Sequence, residues 1–358
     1  MAFAPSFAAH DKVDILFMVD NSPGEPYKAE TIKRFPELMK MLDAAAAAGH
    51  PASYHIGVVT SDLGAGPYTL NQGQCHPDGD NGVLQIAPAA GASLPAGQSC
   101  TSFSLGAARY IDYDQRAGTS NIQGVPDVSS AFSCIASDGS AGCGFEHQLE
   151  STYRALSGTV AENAGFLRDD ALLVVVFVTD EDDCSAPPDS DLFDPSPDGI
   201  AKYGVLHSFR CTQFGVSCST PPAPLSGAAM PPSTSCAPLD QADGGKLFDV
   251  QRYIDFFDRP GGVKADPSDV ILASISAPPL PIGVQTTMPC ADQVNTASCP
   301  ILEHSCAAAT NSNFFGDPAL RVRAVVDAAQ TSLPFSMCET DYSPEMDAIA
   351  NAITARLQ

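Results

Sequence analysis

Apolar and polar positions alternate along the chain in two periods. Val13 to Val19 is apolar apart from Asp14 and reads as a strand buried on both faces. Tyr54–Thr60 and Ala171–Val178 repeat that pattern, and Val270–Ile275 does so again. Between the first two runs, Ile32, Phe35, Leu38, Met39 and Leu42 recur at helical spacing. That spacing predicts a helix over 31–48, kinked or started at Pro36. Strand, helix, strand is the unit of a parallel sheet. Further helices are expected near Glu146, over 247–257, from Asp317-Pro318 to about Ala329, and after Ser343-Pro344. Edge strands are expected at 109–113 and 336–339.

These elements predict an α/β fold with a mostly parallel central sheet flanked by helices. Residues 1–12 read as an N-terminal tail and 13–358 as a single domain. Stretches rich in Gly, Pro and Ser mark insertions at about 63–143, 184–245 and 277–316. No second complete set of strands is present.

Composition narrows the function. The 358 residues hold 18 basic and 42 acidic side chains, a net charge of −24. Such a chain repels phosphate backbones, so nucleic acid is not an expected partner. Twelve cysteines with no C-x-x-C pair point to disulfides and an oxidising compartment rather than zinc thiolates. The N-terminus lacks the basic start and apolar stretch of a signal peptide. If the protein is exported, Met1 belongs to a recombinant start and the natural signal has been removed. The run Ala171–Val178 is too short to span a bilayer.

The chemistry gathers where the apolar runs end. They finish in Asp20-Asn-Ser22, Thr60-Ser-Asp62 and Thr179-Asp-Glu-Asp-Asp183. Ligands of open α/β sheets collect at the carboxyl ends of the strands, and hard cations take carboxylate, hydroxyl and water oxygens. Asp20, Ser22 and Asp180 converge on one ion if their strands are neighbours. The alternative is that Asp20 and Asp180 accept backbone N–H groups and cap neighbouring helices. Glu181, Asp182 and Asp183 read as a solvated loop, with a second cation site as the alternative.

At these residues the chain resembles the von Willebrand factor type A domain. Asp20 and Ser22 fall on that family's Asp-x-Ser-x-Ser motif, and "VVVFVTD" resembles the strand that carries its later Asp, here Asp180. "HIGVVTSD", "GCGFEHQLE", "FVTDEDDCS" and "FGDPALRVRAVVDAA" follow the order of its cysteine-rich extracytoplasmic bacterial members. The resemblance implies a Rossmann-like fold and a metal-ion-dependent adhesion site for Mg or Ca. It also implies a protein or cell-surface ligand and attachment to a membrane through a lipid anchor that this sequence does not carry. The match departs at Gly24, where the family has a second serine, and the family's threonine has no counterpart. By position that threonine falls near Gly142–Glu146, which nominates Glu146 as a carboxylate substitute. Cys143 is expected in a disulfide, with Cys134 as its partner.

Other motifs carry less. Asp194–Gly199 begins like a calcium loop, but Val205 stands where the bidentate Glu belongs. The seven histidines show no metal-ligand spacing. G-x-S-x-G and both glycine-rich nucleotide motifs are absent. The expectation is a binding or adhesion module. A metal-free structural or assembly component is the alternative, and a metal-assisted hydrolase lacks a recognisable nucleophile or base.

Overall fold

The computed structural model describes residues 9–22, 26–70, 75–139, 142–287 and 298–358. Gly24 and Cys290 lie outside the described residues. In chain order the main elements are β1 (Lys12–Val19), α1 (Pro26–Ala47), β2 (Ser53–Thr60), β3 (Ile111–Asp114) and β4 (Thr119–Ser120). Then come α2 (Val128–Ala136), α3 (Gln148–Leu156), β5 (Leu172–Val178), α4 (Pro197–Tyr203) and α5 (Phe209–Gly215). The last are α6 (Gln251–Asp258), β6 (Val270–Ser276), α7 (Leu320–Ala328), β7 (Thr331–Ser336) and α8 (Ser343–Thr354). The fold is α/β, with a seven-stranded sheet in the order β7-β6-β5-β1-β2-β3-β4. Strands β7 through β2 run parallel, and β3 and β4 continue the edge antiparallel.

The apolar runs are two-sided because helices cover both faces. Val13, Ile15, Phe17 and Val19 of β1 face one core, built with residues of α1, α2 and α8. Leu16 and Met18 face the other, built with residues of α3, α6 and α7. The same period-two split divides Leu172, Val174, Val176 and Val178 of β5 from Leu173, Val175 and Phe177. Among the described residues no helix is long and apolar enough to cross a membrane.

Several boundaries differ from the sequence expectation. Helix α1 starts at Pro26, before Thr31, and runs through Pro36. Helix α2 was not expected within the Gly/Pro-rich segment 63–143. There Asp127 caps it by accepting the Ser130 N–H at 2.7 Å, and its apolar face joins the core. Helix α7 starts at Leu320 rather than Asp317, because Asp317 pairs with His304 and Asp182 caps the helix instead. The edge strand is Thr331–Ser336, where pairing to β6 extends, and not 336–339. Among the described residues, disulfides join Cys75–Cys143, Cys100–Cys134, Cys184–Cys211, Cys218–Cys236 and Cys306–Cys338. Cys143 therefore does not pair with Cys134: Cys134 lies on α2 and reaches Cys100, while Cys143 fastens the loop at Cys75. His10 and Lys12, read as tail, are held in the domain: His10 shares a bridge with Leu357, and Lys12 opens β1.

Phe132 of α2 stacks on Phe35 of α1, centroids 3.8 Å apart, and meets Phe17 of β1 edge-on at 4.8 Å. All three rings are fully buried. Phe132→Ala is predicted to cost about 3–5 kcal/mol in urea unfolding with disulfides intact, and a loss below about 1 kcal/mol would contradict this packing.

Candidate metal site at the carboxyl ends of the strands

β1 lies between β2 and β5, so the chain order reverses beside it. That is the topological switch point, where open α/β sheets leave a crevice. The register pairs Val19 with Val178, and the Asp20 N–H continues the ladder to the Val178 carbonyl at 3.0 Å. Asp20 and Asp180 therefore leave neighbouring strands at the same pole. Asp20 is fully buried and Asp180 nearly so. Asp20 Oδ1 accepts the Ser22 N–H at 2.8 Å, and its Oδ2 accepts the Thr179 hydroxyl at 3.1 Å. The Tyr27 hydroxyl donates to Asp180 Oδ1 at 3.0 Å, and the Asp180 carbonyl accepts the Asp317 N–H at 2.8 Å.

Glu146 arrives from the loop before α3. Its backbone forms an antiparallel bridge with Asp62, just past β2, and its carbonyl accepts the Cys184 N–H at 2.8 Å. Burial pushes its carboxyl well above the usual range, and the negative charges of Glu181, Asp20 and Asp180 push the same way. The structure thus brings Asp20, Asp180 and Glu146 into one electrostatic neighbourhood. Ser22 joins them through its backbone N–H to Asp20. Among the described residues no group of three or more His, Cys, Asp or Glu side chains is arranged to hold a metal ion. Any ion here would complete its shell with hydroxyl, amide or water oxygens.

Sequence spacing did not reveal the supporting residues. Gln148 Nε2 donates to the Thr179 hydroxyl at 2.9 Å, and the buried Gln148 Oε1 has no hydrogen-bond partner. Lys28 Nζ donates to the carbonyl of Ser22 at 2.5 Å and lies 3.4 Å from that of Gly139. A Cβ on Gly142 would fall 2.1 Å from Asn21 Oδ1, so a larger residue there requires the Asn21 amide to turn away from this loop. Tyr27 and Lys28 preceded the expected helix start, and Gln148 carried no spacing signal.

The acidic run after Asp180 is not a solvated loop. Asp182 accepts the N–H groups of Arg321 and Val322 at the start of α7. Asp183 accepts from Arg321 Nε at 3.2 Å and from the Leu149 N–H at 3.0 Å. Both carboxylates and the Arg321 guanidinium are buried. A crevice of about 200 Å³ lined by Glu146, Glu181, His207 and His304 opens beside this loop. His304 sits at its side, raised in basicity by the Asp317 carboxylate 2.7 Å away. Asp182 caps α7, while Asp20 accepts one backbone N–H, that of Ser22, and the Thr179 hydroxyl, and Asp180 accepts the Tyr27 hydroxyl.

No protein-family model matches this chain, and no curated protein matches it.

His147 adds a pH-dependent element next to Glu146. Its Nε2–H donates to the Gly64 carbonyl at 3.0 Å, its Nδ1 has no hydrogen-bond partner, and burial lowers its pKa to about 4. A free imidazole takes a proton near 6.5, so the unfolded chain binds one proton more between those values. The His147 contribution to stability is full above about pH 6.5 and falls by about 3 kcal/mol towards pH 4. His147→Gln is predicted to flatten that slope in urea unfolding at pH 4.5 and 7. Equal slopes for both proteins would contradict it.

Proposed function

We propose that this chain is an extracytoplasmic binding module of the von Willebrand factor type A class. It captures a protein or cell-surface ligand through a divalent cation at the carboxyl pole of the sheet. The observation that carries the reading is the β1–β5 pairing, which places Asp20 and Asp180 at the switch point with Glu146 in range of both. The donor set fits magnesium, which keeps several waters and takes one or two carboxylates, better than a calcium cage of six to eight oxygens. Asp20, Asp180 and Ser22 would hold the ion, and Glu146 would add negative charge from the α3 side. The bound ion would supply an open position for a ligand carboxylate. Thr179 and Tyr27 orient the two aspartates, and Lys28 holds the Ser22 carbonyl. Among the described residues five disulfides brace the chain's loops, which agrees with an oxidising compartment.

A second reading is a metal-free structural or assembly component on the same fold. It is favoured by the hydrogen bonds that already engage both oxygens of Asp20 and Oδ1 of Asp180. Calorimetric titration separates the two. The first reading predicts saturable Mg²⁺ binding that is abolished in Asp20→Asn and Asp180→Asn, both of which remain folded. No heat of binding in the parent protein, with fold intact, establishes the second.

A further inference from the structure

The first turn of α3 is pinned from both sides of the switch point. The His147 N–H donates to the Ser61 carbonyl, past β2, at 2.8 Å. The Leu149 and Glu150 N–H groups donate to the loop past β5, to Asp183 Oδ1 at 3.0 Å and to the Ser185 hydroxyl oxygen at 2.8 Å. These bonds satisfy N–H groups that a helix start leaves open. They also fix where the side chain of Gln148, the first residue of the helix, can reach. That side chain is fully buried. Its Nε2 donates to the Thr179 hydroxyl oxygen at 2.9 Å, and the Thr179 hydroxyl lies 3.1 Å from Asp20 Oδ2.

Counting protons gives this relay its direction. A threonine hydroxyl has one hydrogen and two lone pairs. Gln148 Nε2 donates into the Thr179 oxygen, and the Glu181 N–H approaches it at 3.4 Å. The single hydrogen is left to donate, to Asp20 Oδ2 or to the Glu181 carbonyl, each 3.1 Å away. The carboxylate is the stronger acceptor of the two. With the Ser22 N–H on Oδ1, two of the roughly four lone-pair sites of the Asp20 carboxylate are used, and the others remain for a cation. The same amide carries a cost. Among the described residues no group donates to its buried Oε1, and an unmet buried acceptor is destabilising. An apolar side chain of similar size would remove that unmet atom together with the bond to Thr179, so stability alone does not account for glutamine here.

We propose that Gln148 is a positioning residue of the cation site: it commits the Thr179 proton to Asp20 and so holds that carboxylate in the orientation that receives the ion. The inference rests on the reading that Asp20 and Asp180 bind a divalent cation, and it ties their site to the α3 loop that carries Glu146. Gln148 acts through Thr179 and does not itself touch the ion.

The test is calorimetric Mg²⁺ titration of the full chain, with urea unfolding in excess chelator measured beside it. Gln148→Met is expected to bind Mg²⁺ about tenfold or more weakly, the loss usual for a group that orients a metal ligand. Its urea midpoint is expected to stay at the parent value or to rise. Thr179→Val weakens binding as well, and the double variant binds no more weakly than Thr179→Val alone, because both residues act through one relay. Gln148→Leu is measured as a second apolar replacement. Three results overturn the proposal: parent-like Mg²⁺ affinity in Gln148→Met, a lowered urea midpoint or loss of folding in both replacements, or losses that multiply in the double variant. A parent protein that takes up no Mg²⁺ overturns the cation reading along with this one. A parent that binds Mg²⁺ while Gln148→Met matches it overturns only the role of Gln148.

Discussion

The parallel pairing of β1 with β5 is the constraint on which the rest depends. Both strands are apolar on both faces, so their alternate side chains are divided between two helix-covered cores. A slip of one residue would send every side chain to the wrong face. The register is therefore fixed by packing, and it is this register that brings Asp20 beside the Thr179-Asp180 end of the next strand. The polar pole follows from the apolar strands beneath it.

What surrounds that pole is an accounting of buried polar groups. Arg321 donates to Asp183 and to the carbonyls of Gly215 and Phe248, tying the β5 loop to α7 and to the chain around α5 and α6. Arg210, equally buried, donates to the carbonyls of Leu192, Asp194, Gly204 and Val205 and so closes the loop that carries α4. Long irregular segments must satisfy their backbone somewhere, and here two guanidiniums take up several of its carbonyls while the disulfides hold the segments together. Glu146 and Glu181 line the crevice together with Asp182 and Asp317, and the charge of Glu181 adds to the burial that raises the Glu146 carboxyl.

The strands were legible because burial on both faces leaves a nearly continuous apolar signature, broken by Asp14 in β1 and His55 in β2, and their acidic ends were legible because each run stops abruptly. Asp20, Asp180 and Glu146 emerged by position along the chain. The edge strand β7 was displaced in the reading because Thr331–Ser336 is only half-buried and carries Pro334, so its apolar signal is weak. Helix α2 was hidden by the Gly- and Pro-rich sequence around it. The work of Asp182 and Asp183 was invisible for a different reason: their partners lie on α7, about 140 residues away. Capping from outside a helix leaves no local pattern, and neither do disulfide partners such as Cys75 and Cys143. Tyr27 and Gln148 belong to the same class, side chains whose role exists only once distant elements meet.

The central claim is that Asp20 and Asp180 share one ion. Crystals soaked in Mn²⁺ and measured at the manganese absorption edge test it most directly. The account predicts one anomalous peak between the two carboxylates, within about 2.0–2.6 Å of an oxygen of at least one of them. A peak confined to surface acids, or none at all in crystals that retain Mn²⁺ elsewhere, would contradict it.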